Sequence, residues 1–208
     1  MTAAVDKRVI AIAPIVIDML NMVESFEHHY RVYGFFAPSV KDYEEMQIMD
    51  WMGSKQYGAL LRMVGPFQYR DRLTMPKYLV NATGDQFFLP DSHRFYFDDL
   101  QGEKYIRYVP NADHGLGGSD AWAGLLAWYQ AIVAERERPE FSWRITEGGE
   151  IRVEVGEEPL EVKLWRATNP EARDFRLETI GPVWTAAELR PVEDGEYVAR
   201  VEAVYDGI

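Results

Sequence analysis

Two short stretches carry residues able to do chemistry together: Asn81-Ala-Thr-Gly-Asp85-Gln-Phe-Phe-Leu-Pro90 and Val109-Pro-Asn-Ala-Asp113-His114-Gly115. Each follows an apolar run of strand type. A carboxylate just past a parallel strand, on a glycine-assisted turn, points into the crevice where such sheets bind ligands. If the two runs are neighbours in one sheet, Asp85 and His114 come side by side at the same edge. An acid beside a histidine holds the ring in one tautomer, so that its other nitrogen can take a proton from a hydroxyl. That is the supporting half of a Ser-His-Asp triad. Asp113 reads as a residue that orients the loop or faces solvent.

Acid then histidine, on consecutive strand ends, is the order found in α/β-hydrolases, where the nucleophile comes first on a G-x-S-type elbow. The serines are Ser25, Ser39, Ser54, Ser92, Ser119 and Ser142. None lies in G-x-S-x-G, and none sits at a strand-to-helix turn ahead of Asp85. The acid and base are present and the nucleophile is not. The other histidines are less apt: His28 and His29 are adjacent, point to different helix faces and make no i, i+4 metal pair. His93 is expected on an exposed face.

The elements that must position the pair follow from hydropathy. Arg8 to Val16, Pro76 to Ala82 and Lys104 to Val109 read as three strands of a parallel sheet covered on both faces. A short helix is expected over Asp91 to Leu100. After the third strand comes the strongest helical pattern, capped by Ser119. Its apolar stripe is Trp122, Leu125, Leu126, Tyr129, Ile132 and Val133. A long insert, about residues 18–73, opens with a helical spacing at Met19, Met22, Val23, Phe26 and Tyr30. It is far longer than the usual connection of about 4–6 residues and suits a lid or substrate wall. Its methionines, Met46, Met49, Met52 and Met63, read as adaptable packing.

The texture changes near residue 140, after the charged, Pro139-stopped run 135–140. Residues 1–140 read as an α/β domain and residues 141–208 as a small all-β sandwich. In the second part apolar residues alternate at Phe141, Trp143, Ile145, then Ile151, Val153, Val155. They continue at Leu160, Val162, Leu164, then Phe175, Leu177, then Val201, Ala203. Glycine turns at 148–149 and 156 separate the first runs. Trp143, Trp165 and Trp184 are expected as anchors of its core.

Composition narrows the partners. Among 208 residues, 34 are Asp or Glu and 22 Lys or Arg, a formal charge of −12. An acidic chain with no basic run is a poor binder of nucleic acid or an anionic membrane surface. No apolar stretch reaches the roughly 18–20 residues of a spanning helix. With no cysteine, disulfides, thiol catalysis and Cys-ligated metals are excluded. The residues after Met1 do not read as a signal peptide.

The sequence resembles the C-terminal half of the PhoPQ-activated pathogenicity-related protein family, of the α/β-hydrolase superfamily. The resemblance runs along essentially the whole chain. It is carried by Thr2-Ala-Ala-Val-Asp-Lys-Arg-Val-Ile-Ala-Ile-Ala-Pro14, Glu27-His-His-Tyr30, Tyr69-Arg-Asp-Arg-Leu-Thr-Met-Pro76 and Asn81-Ala-Thr-Gly-Asp85. Phe88-Leu-Pro-Asp-Ser92 and Arg107-Tyr-Val-Pro-Asn-Ala-Asp-His114 complete it. In that family the serine elbow lies just upstream of a segment like Thr2-Ala-Ala-Val-Asp6. The resemblance therefore implies a partial α/β-hydrolase sheet and an incomplete serine hydrolase, inactive by itself. Asp85 and His114 would serve an ester or peptide substrate once a serine is supplied. It also suggests an exported protein. No metal or organic cofactor is expected. The unpaired edge of a three-stranded sheet would invite self-association. The alternative is a non-catalytic binding or interaction protein on a hydrolase scaffold, with the sandwich as its working part. A separate chain that supplies the serine half is a third arrangement.

Overall fold

The computed structural model describes residues 1–201. They form two compact units, each described by itself: Met1–Ile132 with Asn169–Pro182, and Val133–Thr168 with the residues from Val183 onward. The first unit thus takes back residues 169–182 from the region expected as a separate sandwich domain.

The helical part of the first unit starts with α1 (Thr2–Val5) and α2 (Met22–Tyr33), which opens the insert. Next come α3 (Lys41–Glu45) and α4 (Lys55–Val64), with 3₁₀ segments at Pro38–Val40, Met49–Trp51 and Pro66–Arg72. The Ser54 hydroxyl accepts from the Tyr57 N–H at 3.1 Å and caps α4, which satisfies one of the free donors of a helix start. Met19, Phe26 and Val40 are buried at the centre of the insert. Met22, Tyr43, Met49, Met52, Phe87 and Phe88 pack around them. Of the four methionines expected as packing, Met46, Met49, Met52 and Met63, the first and last instead lie exposed.

The sheet consists of β1 (Lys77–Ala82) and β2 (Lys104–Val109), parallel, with Lys77 opposite Lys104 and Ala82 opposite Val109. The expected strand Arg8 to Val16 does not form as one. It lies along β1 and meets it at two isolated parallel bridges, Ile12 to Lys77 and Ile15 to Val80. The Tyr78 N–H donates to the Ile12 carbonyl and the Val80 N–H to the Pro14 carbonyl, both at 3.0 Å. Two local features break the ladder. Pro14 has no N–H to give, and Val16 sits at φ 47°, a left-handed conformation that β-branched residues avoid.

Between β1 and β2 the expected helix contracts to a 3₁₀ turn, Ser92–Phe95. Tyr96, Phe97 and Leu100 then enter a buried cluster with Leu73 and Leu79. After β2, α5 (Ala121–Val133) starts as expected, with Ser119 Oγ accepting from the Ala121 N–H at 3.3 Å. Its expected core stripe is corrected, however: Trp122, Leu126, Tyr129 and Val133 are exposed. The side turned to the sheet carries Ala121, Gly124 and Trp128. Trp128 stacks on Tyr78 at 5.8 Å between ring centroids. A Cβ on Gly124 would lie 2.6 Å from the Arg107 guanidinium and 3.0 Å from the Tyr78 hydroxyl. α5 has no charged side chain and only Gln130 is strongly polar, so apolar spacing alone cannot single out one buried face.

The second unit holds two small antiparallel sheets. One has the order β3 (Phe141–Ile145), β4 (Ile151–Val155), β7 (Glu196–Ala199); the other pairs β5 (Lys163–Arg166) with β6 (Thr185–Glu188). The glycine turn at 148–149 joins β3 to β4, with Gly149 at φ 79°. Trp143 and Trp165 are exposed, at 37% and 40%, instead of anchoring a core. Phe175 and Leu177, expected as a strand of this region, belong to the first unit, where Leu177 opens α6 (Leu177–Ile180). Of the last expected pair, Val201 is outside any strand and Ala203 lies outside the described residues.

Candidate active site

The two chemistry-bearing loops leave the C-terminal ends of β1 and β2, and backbone bonds lock them together at once. Thr83 N–H donates to the Val109 carbonyl at 3.0 Å and Gly84 N–H to the Ala112 carbonyl at 2.9 Å. The Thr83 hydroxyl accepts from Asn111 N–H at 3.1 Å. Beneath them Val80, Ala82, Val109, Ala112, Leu116 and Ala121 form a single buried cluster. Asn111 and Leu116, on either side of His114, adopt φ 54°. Such conformations cost free energy and persist where surrounding contacts impose them.

Glycine is required at position 84 by close approach. A Cβ there would sit 2.8 Å from Leu177 Cβ and 2.9 Å from the Ala112 carbonyl oxygen. Leu177 N–H donates to the Gly84 carbonyl at 3.0 Å, so the returning segment 169–182 holds the acid loop from its far side. That segment is itself anchored through Arg176, 8% exposed. Its guanidinium lies over the Tyr33 and Phe35 rings at 5.0 and 5.5 Å and forks onto Asp174 at 2.9 and 2.6 Å.

Asp85 is 3% exposed. One carboxylate oxygen accepts from the Phe87 N–H at 2.7 Å and the Phe88 N–H at 3.1 Å. His114 Nδ1 lies 2.9 and 3.1 Å from the two carboxylate oxygens. The His114 backbone N–H donates to Gln86 Oε1 at 3.1 Å. The Phe87 ring packs on the imidazole with centroids 4.3 Å apart. Burial pushes the Asp85 carboxyl above its ordinary value, while the Phe87 N–H and the neighbouring His114 pull it back. A carboxylate at Nδ1 makes that nitrogen the donor. Nε2 is then the basic nitrogen, and it has no hydrogen-bond partner among the described residues. The His114 side chain is 30% exposed, so this nitrogen can meet a reacting group.

The structure thus brings together the two expected residues, Asp85 and His114. Asp113 orients the loop as expected, its carboxylate accepting from Gly115 N–H at 2.9 Å. No serine hydroxyl bonds to His114 among the described residues. His28 and His29 are both buried, at 4% and 2%. His29 Nε2 accepts from the Ala37 N–H at 2.9 Å. Burial, followed by the charges of Arg176 and His28, pushes His29 down to about 4, so it stays neutral and braces the insert. His93, expected exposed, is half-buried, with Nδ1 2.9 Å from the Tyr108 hydroxyl.

Sequence reasoning passed over three contributors. Leu177 and Gln86 act on the loops through contacts that no local pattern announces. The third, Asp18, ends the Arg8 to Val16 region and is 2% exposed. It accepts from the Tyr96 hydroxyl at 2.5 Å and from the Tyr108 hydroxyl. Burial raises it to about 7 against the pull of those two hydroxyls. An acid in the apolar-flanked Ile-Asp-Met was the available signal. No cluster of three or more metal-ligating side chains occurs among the described residues. No described helix is long and apolar enough to cross a membrane.

Comparison with known proteins places the chain in a family. The family model described as PhoPQ-activated pathogenicity-related protein matches residues 1–176. The chain belongs to this family. It is also similar to autocrine proliferation repressor protein A of Dictyostelium discoideum, with 35% identity over 219 aligned residues. The alignment covers 95% of this chain and 44% of that protein. The family match takes in both loops, the insert and the anchoring Arg176.

Proposed function

We propose that the chain carries the base and the orienting acid of a serine-hydrolase site of α/β-hydrolase type, with the nucleophile supplied from outside residues 1–208. The observation that supports this most is the pair itself: a buried Asp85 on Nδ1 of His114, with Nε2 unengaged and accessible. A serine hydroxyl within reach of Nε2 would give up its proton as its oxygen attacks an ester or peptide carbonyl. His114 would return that proton to the leaving group, and Asp85 would stabilise the imidazolium between the two steps. No cofactor enters this scheme. The insert lies against the site through Phe87 and Phe88 and would form a wall of the substrate pocket.

The test is to extend the reading frame ahead of the Met1 codon, produce the longer protein and expose it to a fluorophosphonate probe. Labelling of a serine outside residues 1–208, strongly reduced in His114→Gln, is expected; residues 1–208 alone should remain unlabelled. A second reading, a binding or interaction protein on this scaffold, draws on the missing hydroxyl partner of His114 and on the exposed Phe141, Trp143 and Ile145 of β3. It is adopted if no serine is labelled in any longer product.

A further inference from the structure

The chain carries a formal charge of −12, yet one cleft of the first unit is basic. Its volume is about 460 Å³, and it is lined by His28, Arg31, Val32, Arg94, Phe95 and Arg173. The three arginines arrive from three separate segments: α2, the 3₁₀ turn after the acid loop, and the returning segment 169–182. Among the described residues no carboxylate is part of the lining itself, and Asp91 is paired with three of the lining side chains. We propose that the cleft is a binding site for an oxyanion, a phosphate or carboxylate group, borne by a small ligand with an apolar body.

The charges do not balance internally. Asp91 is the one acid paired with these groups. It meets His28 Nε2 at 2.9 Å, Arg94 at 3.4 Å and Arg173 at 2.5 Å. One carboxylate is therefore shared by two guanidinium groups and a buried imidazole, while the third guanidinium of the cleft, Arg31, stands beside them. Arg31 has no ion pair among the described residues, and Glu27, one turn earlier on α2, does not reach it. A cluster needed only to tie the returning segment to the turn would use Arg94, Arg173 and Asp91, and would have no use for Arg31. Arg94 and Arg173 keep side chains 55% and 56% exposed, so both can turn toward a ligand. Guanidinium forks match the geometry of carboxylate and phosphate oxygens. Phe95, whose ring packs on His28 at 5.1 Å, and Val32 offer apolar surface beside the charge. This site stands apart from the catalytic pair and requires no nucleophile.

The test is an NMR titration of the 208-residue chain at constant ionic strength, once with inorganic phosphate and once with benzoate. Saturable shifts at Arg31, Arg94 and Arg173 are expected with at least one probe, and the stronger probe identifies the oxyanion. Arg31→Gln leaves every ion pair of the cluster in place and should weaken that probe's binding about tenfold, the loss of one charge-assisted contact. Arg31→Lys should recover part of the affinity. Failure of both probes to saturate, or equal affinity in Arg31→Gln and the unaltered chain, overturns the proposal. Should Arg31→Gln misfold by its amide spectrum, the comparison passes to Arg31→Lys, where equal affinity for a bidentate oxyanion overturns it in the same way.

Discussion

Asp85 and Asp18 are two carboxylates buried to nearly the same degree, 3% and 2% exposed, each a short way past a segment that runs along the sheet. Burial raises both. Their partners separate them. Asp85 receives two backbone N–H groups and one edge of an imidazole that opens to solvent on its other side. Asp18 receives two tyrosine hydroxyls, and Tyr108 is in turn in contact with His93. The first arrangement favours a carboxylate that orients a base. The second encloses a carboxyl whose charge has no cationic partner among the described residues, and it rises to about 7. Local polarity of the partners, more than depth of burial, decides what a buried acid does.

The largest effect expected from this contrast is catalytic. On the proposed hydrolase reading, Asp85→Asn in a product extended ahead of Met1 should lower kcat by about 10⁴-fold, as loss of the orienting acid does in a Ser-His-Asp triad. In the chain itself, ¹⁵N NMR should show neutral His114 protonated at Nδ1, and Asp85→Asn should shift that proton to Nε2. Asp18→Asn should leave the His114 tautomer unchanged; an equal change in both variants would erase the distinction between the two acids.

Next in size is the support of the acid loop. Gly84→Ala forces a methyl against Leu177 and the Ala112 carbonyl. It should cost about 1–3 kcal/mol in denaturant unfolding, the usual range for overpacking a tight site. Gly149→Ala in the second unit meets no neighbouring atom within 4 Å, though its φ is 79°. It should cost about 1 kcal/mol, from backbone strain alone. Equal losses would mean that the returning segment does not press on the acid loop.

The last expected effect is a pH dependence. The Asp18 carboxyl is raised in the folded chain from 3.8 to about 7. Its contribution to stability is fully present below its unfolded value and is lost as pH rises through about 7. Asp18→Asn removes that loss. Between pH 4 and 8, unfolding free energy of the variant should therefore gain on the unaltered chain as pH rises. A difference that stays flat with pH would show that the Tyr96 and Tyr108 hydroxyls hold Asp18 ionised.

Part of the site is readable before any fold is known. Asp85 and His114 stand out because each follows an apolar run and because acid and imidazole together have a definite chemistry. Strand ends carry such information locally: a run of apolar residues, a glycine, then a polar group. The Arg8 to Val16 run misleads for an equally local reason, since Pro14 and the left-handed Val16 interrupt pairing without changing hydropathy. In α5 the difficulty is opposite. With no charged side chain in the helix, the face that meets the sheet is set by where a glycine permits approach to Tyr78 and Arg107.

By itself, then, the amino-acid sequence determined the family, the acidic and cysteine-free character, and the placing of Asp85 and His114 just past two neighbouring strands. These are properties of residue type and short-range spacing. Tertiary structure alone decided that residues 169–182 return to brace Gly84, that Asp18 closes on two tyrosines, and that three arginines meet in one cleft. Each of those arrangements gathers residues far apart in the chain: Asp18 bonds to Tyr108, and Arg31 lines one cleft with Arg173. Such meetings depend on how the whole chain packs its apolar surface. No window of neighbouring residues carries that information.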